Sequence, residues 1–187
     1  KGMVNSFKSV QFKNVFRSLA IISVILKEER AANALGLNGT TICKLLLDEA
    51  EIFSSFANTA VCLIPQFDQK LIGGIVGAYC DSGRPQLHDG RDLLQLIGDH
   101  VVRRKGVFFD GSSGSYMLSF YLTHRYAIYG FKHPKMFDCI ADFIVTLDNL
   151  HYFEQEHIPK MFWAYTKNCH RHTGLKYKII EHISGLF

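Results

Sequence analysis

The chain has 187 residues, 48% hydrophobic and 20% charged, which is enough apolar material for a sizeable core and excludes a disordered chain or a collagen-like fibre. Its formal net charge of +4 is carried entirely by the second part: residues 1–100 hold 10 Lys+Arg against 10 Asp+Glu, residues 101–187 hold 11 against 7. Seven of the 9 histidines lie there too, and this asymmetry points to an anionic partner for the C-terminal part.

With 4 prolines and 15 phenylalanines, the composition favours long uninterrupted helices. The opening Lys-Gly-Met reads as neither a secretory signal nor an Arg/Ser-rich transit segment, so targeting is absent or these residues are internal to a longer precursor. Phe7 to Glu29 reads as one long helix. Its most apolar run, Ser18 to Leu26, falls short of the roughly 20 residues needed to span a bilayer, so no membrane association is expected. After a turn at Asn38-Gly39, Thr40 to Phe56 reads as a second helix. Residues 1–64 together make a degenerate N-terminal helical region.

From residue 65 onward the chain repeats itself. Leu93 to Val101, Met136 to Ile144 and Leu175 to Ile183 each place apolar residues at i, i+4 and i+8, with an acidic residue between the last two. This is the stripe of an amphipathic helix. A second helix precedes each one. Phe67 to Tyr79 matches Phe153 to Tyr165 at a constant offset, and the middle copy runs from Tyr116 to Tyr129. Its Gly130 is placed to end the first helix and its Pro134 to open the second; the other turns fall at Gly83-Arg84-Pro85 and Cys169 to Thr173. The expected architecture is all-α, an α-solenoid of stacked helical hairpins of roughly 40 residues per repeat. The repeats are expected at 65–105, 115–150 and 153–187, with the Gly/Ser-rich insert 106–114 as a loop.

The run from Tyr126 through Gly130, Phe131 and His133-Pro134 to Met136-Phe137, with Phe162-Trp163-Ala164-Tyr165-Thr166-Lys167 supplying the Trp-Ala-aromatic part, resembles the signature of the octotricopeptide/heptatricopeptide helical-hairpin repeats, a group that includes the FAST-kinase-like repeats found beside RAP domains. The resemblance covers about residues 65–187, and no RAP module is visible. It implies RNA binding in a mitochondrion or a chloroplast, by a free processing or stability factor or by an architectural component of the mitochondrial ribosome that contacts rRNA and neighbouring proteins. A protein–protein scaffold without RNA is the rival from another class.

Residue by residue, Leu71, Ile75, Ile97, Val101, Leu118, Leu122, Ile140, Ile144, Ile158, Phe162, Ile179 and Ile183 are expected in the core, and the recurring Tyr79, Tyr126 and Tyr165 to pack structurally. The polar positions that vary between copies are the candidate RNA contacts: Lys70, His124, Arg125, Lys160 and Lys167 on first helices, Lys132 and Arg171 in the turns, and Arg103 and Arg104 at a helix C-terminus, where cations are also favoured by the helix dipole. The five widely spaced cysteines are small buried hydrophobes of a reducing compartment. Cys169, His170, His172 and His182 match no common zinc pattern. Gly73, Gly74 and Gly77 fit neither a dinucleotide nor a phosphate loop. His88-Asp89 lacks a nucleophile, and Asp92 reads as an N-cap. No enzyme, cofactor or metal is expected.

Overall fold

The computed structural model describes residues 54–81, 87, 90–148 and 150–185. The predicted helix Phe7–Glu29, all but the last residues of Thr40–Phe56 and the turn at Gly83-Arg84-Pro85 lie outside them. Every regular element among the described residues is helical, as the composition implied. Residues 54–63 are helical and run into a 3-10 turn, Ile64–Gln66. Then follow α1 (Gln69–Asp81), α2 (Leu93–Arg103), a single turn α3 (Lys105–Phe108), α4 (Ser113–Ile128), α5 (Pro134–Thr146), α6 (His157–Lys167) and α7 (Thr173–Ser184).

Packing divides the described residues into two compact units, residues 54–67 with Gly74–Leu96, and Asp68–Gly73 with residues 97–185. The first buries Ala57, Ala60, Ile75, Val76, Tyr79, Leu93 and Leu94. As predicted, Asp92 caps α2: its carboxylate accepts the Leu94 N–H at 2.8 Å, satisfying one of the orphan donors of the first turn.

In the second unit α4 packs along α6, and α5 along α7; α4 and α5, and likewise α6 and α7, are consecutive helices and are called pairs below. Within the predicted loop 106–114 the structure places the turn α3 and the start of α4, because the apolar Phe108 is buried there. Gln69 secures this connection, its side-chain amide donating to the Phe108 carbonyl at 3.0 Å and to the Ser115 hydroxyl at 3.1 Å. The Asp110 carboxylate takes bonds from Ser112 and Ser115, which hold its pKa well below the usual carboxylate range.

Both turns between the helices of a pair use one backbone solution. After α4, the Phe131 N–H bonds the Tyr126 carbonyl at 2.8 Å and the Gly130 N–H the Ala127 carbonyl at 3.1 Å, with Gly130 left-handed at φ +64°. After α6, His170 bonds Tyr165 at 2.9 Å and Cys169 bonds Thr166 at 3.0 Å, and Cys169 takes the left-handed place at φ +54°. This is the six-to-one, five-to-two closure of a helix C-terminus. A side chain in that region costs about 1 kcal/mol or more relative to glycine.

The following helices are opened by histidines. The Nδ1 of His133 accepts the Met136 N–H at 3.1 Å, and the Nδ1 of His172 accepts the Leu175 N–H at 3.1 Å. In each ring Nδ1 is therefore the acceptor and Nε2 carries the proton. That Nε2 reaches back to the preceding second helix: His133 lies 3.4 Å from the Asp99 carboxylate and His172 3.1 Å from Asp142. Gly98 leaves room for the His133 imidazole, into which a Cβ at that position would run.

Ten of the twelve expected core residues are buried, as are Tyr79, Tyr126 and Tyr165, the last donating to the Phe137 carbonyl at 2.8 Å. Phe162 and Ile183 correct the expectation, since they are 48% and 45% exposed. Both lie on the outer side of the last helix pair, the side that in the preceding pair is covered by its successor.

Two substitutions test these placements by thermal unfolding. Cys169→Gly relieves the left-handed side chain and should stabilise the protein by about 0.5–1 kcal/mol. Gly98→Ala should lower the midpoint, because crowding the buried His133 ring at about 1–3 kcal/mol outweighs the gain in helix propensity of about 1 kcal/mol. A higher midpoint for Gly98→Ala would contradict the His133 packing.

Candidate nucleic-acid interface

Along α4 and α6, cations and aromatic rings alternate by the helical period, and i, i+4 neighbours share a face. On α4, the Arg125 guanidinium sits 5.2 Å from the centre of the Tyr121 ring. On α6, the Lys167 ammonium sits 4.8 Å from the centre of the Trp163 ring and 3.4 Å from the Ile128 carbonyl. Lys167 thus bridges the two first helices while placing its charge at the C-terminal end of α4, where it is electrostatically favoured. The helices also meet through rings: His124 lies 5.9 Å from Trp163, and Phe120 stacks on the buried His157 at 3.9 Å.

His124 sits amid these cations. Burial first, then the charges of Lys160 and Arg125, lower its pKa. The group is therefore cationic at its edges with a neutral imidazole between. Lys160 carries an ion pair with Glu156 at 2.9 Å, an exposed i, i+4 pair of the kind that contributes little to stability. Trp163 is 42% exposed and Phe162 lies beside it, also open.

Of the candidate contacts, the structure brings His124, Arg125, Lys160 and Lys167 together on this surface. The others lie elsewhere and are exposed: Lys70 near the start of α1, Arg103 and Arg104 at the end of α2, and Lys132 and Arg171 in the turns before α5 and α7. Arg104 is 5.9 Å from the centre of the Phe108 ring. Lys132 and Arg171 occupy equivalent positions, each directly before a capping histidine. The aromatic components Tyr121 and Trp163 were not among the candidates. Their signal was present in the sequence as an aromatic residue followed four positions later by a cation.

Two other constellations have local roles. His172 uses both ring nitrogens, on Leu175 and Asp142, and His170 lies 2.8 Å from the Asp138 carboxylate, so the histidines beside Cys169 join helices of neighbouring pairs. Glu154, Glu156 and His157 bring ligand-type atoms within 4.8 Å of one another, but Glu156 is paired with Lys160 and Glu154 lies 3.5 Å from His157. Acidic residues also belong at this end of a helix, beside the N-terminus of α6. No helix among the described residues is long and apolar enough to cross a membrane. No protein-family model, curated protein or solved structure matches the chain.

Burial creates a pH dependence. His100 is buried with its ring edge-on to Phe108 at 5.4 Å, and its pKa is lowered by burial and then by Arg104 and Arg103. His124 is shifted in the same direction. In the unfolded chain both titrate near about 6.5; between that value and the lower folded one the unfolded state binds more protons, so stability falls as pH drops below about 6.5. Thermal midpoints between pH 7.5 and 5.5 should decline accordingly. His100→Phe, which keeps a ring against Phe108 but cannot be protonated, should flatten the decline, and an unchanged slope would refute the assignment.

Proposed function

We propose that this chain is an RNA-binding helical-repeat protein whose stacked hairpins form an α-solenoid, with the first helices presenting a surface to a single strand. The observation that carries the reading is the cluster of Arg125 on Tyr121 and Lys167 on Trp163, with His124 and Lys160 between them. Single strands are held by cations that neutralise phosphates and by aromatic faces on which bases stack. Both are needed in alternation, and this surface offers both. Lys132 and Arg171 stand exposed at equivalent turns, and Lys70, Arg103 and Arg104 are further exposed cations.

The charge distribution supports the same reading, because the positive excess lies in residues 101–187. The organellar setting rests on the resemblance of the repeats alone. Within it we favour an architectural role in the mitochondrial ribosome, touching rRNA and protein neighbours together, over a free processing factor. A net charge of only +4 suits mixed contacts better than a purely electrostatic grip. Binding rather than catalysis is the activity proposed.

Trp163 is the single tryptophan of the chain, which makes the test direct. Titrating the protein with a single-stranded oligoribonucleotide of mixed sequence should quench its fluorescence. If Arg125, Lys160 and Lys167 each neutralise one phosphate, log affinity should fall against log salt with a slope of about −2, or roughly 20-fold between 50 and 200 mM salt. Trp163→Ala, followed by a label on the RNA, should weaken binding by roughly 5- to 100-fold through lost stacking. Absence of binding at low salt, or affinity indifferent to salt, would sink the proposal and favour a protein scaffold.

A further inference from the structure

The repeat permits a position-by-position comparison of one face. Gly98, Ala141 and Ile180 are equivalent, as are Val101, Ile144 and Ile183. Gly98, Val101, Ala141 and Ile144 are buried, whereas Ile180 and Ile183 are 47% and 45% exposed. The first helices behave alike: Thr123 of α4 is buried beside α6, and its equivalent Phe162 on α6 is open. Ile180, Ile183 and Phe162, with Leu150, Phe153 and Ile158, line an apolar groove of about 790 Å³ between α6 and α7. Large exposed apolar residues gathered in one place mark an interaction surface.

A polar feature identifies what fits. Asp99 and Asp142 hold the same repeat position, and each faces the Nε2 of the histidine that caps the next second helix. Glu181 is the third member of the series. It is exposed, and among the described residues no imidazole reaches it. The outer side of the last pair thus presents the same apolar stripe and the same carboxylate that each earlier pair offers its successor.

We propose that this face is the docking site for one further helical hairpin of the same repeat class, presented by a partner protein. Its second helix is capped by a histidine that donates to Glu181, and its apolar side covers Ile180, Ile183 and Phe162. A second copy of this chain is the poorer occupant, because both capping histidines among the described residues, His133 and His172, are already committed to Asp99 and Asp142. The inference is drawn from the apolar face of Ile180, Ile183 and Phe162 and from Glu181, and it does not require RNA binding.

The test supplies such a hairpin in cis, where tethering gives a high effective concentration. Residues 147–185 are duplicated and joined after Gly185 of the full chain, which preserves the 30-residue spacing between Asp142 and His172 for Glu181 and the duplicate's histidine. The extended chain should melt at least about 5 °C above the parent, and amide exchange at 177–183 should slow at least tenfold. Ile183→Asp should move the parent midpoint by no more than about 2 °C, since the side chain is already half in water, yet cancel the gain in the extended chain. Glu181→Ala should remove part of it. An extended chain that melts with the parent and exchanges at the same rate overturns the proposal. So does a parent that sediments as a dimer and is returned to monomer by Ile183→Asp, because the face would then belong to a second copy.

Discussion

An imidazole that serves two helices at once holds the described helix pairs in register. His133 and His172 each close the first turn of their own helix through Nδ1 and face a carboxylate of the previous second helix through Nε2. Capping alone is worth about 1 kcal/mol. The reach across is worth more in geometry than in energy, because Asp99 is partly and Asp142 largely open to water and solvent-screened pairs contribute little. Burial of Ile97, Val101, Ile140 and Ile144 supplies the cohesion. The imidazole fixes which turn of one helix lies beside which turn of the next.

That register places the first helices side by side, and the surface chemistry follows. Because α4 lies along α6, Lys167 can sit on Trp163 and still touch the last turn of α4, and His124 can lie between Lys160 and Arg125. A shift of one turn would separate these groups. The candidate interface is therefore a property of the packing of pairs, and no single helix contains it.

Much of this was legible in the residues. The periodic stripes of Leu93–Val101, Met136–Ile144 and Leu175–Ile183 correspond to α2, α5 and α7, and Asp92, Gly130 and Pro134 mark boundaries where they were expected, since these signals are local. The equivalence of His133 and His172 was also visible, but their Nε2 partners lie 34 and 30 residues back, a distance that no local pattern spans. Phe162 and Ile183 were placed in the core because periodicity reports which side of a helix is apolar and says nothing of whether a neighbour covers it. The site was legible only in part. The cations were found as variable polar positions, whereas neither Tyr121 nor Trp163 was among the candidate contacts, and only the packing shows that Trp163 is open to solvent.

Cys169 shows how tolerant the shared turn is. Where the preceding turn uses glycine, this one forces a thiol-bearing residue into the same left-handed bend, and the hydrogen-bond closure survives intact. The bend is thus dictated by the helices it joins. A corner whose shape is set by its arms tolerates drift in the residue that stands there.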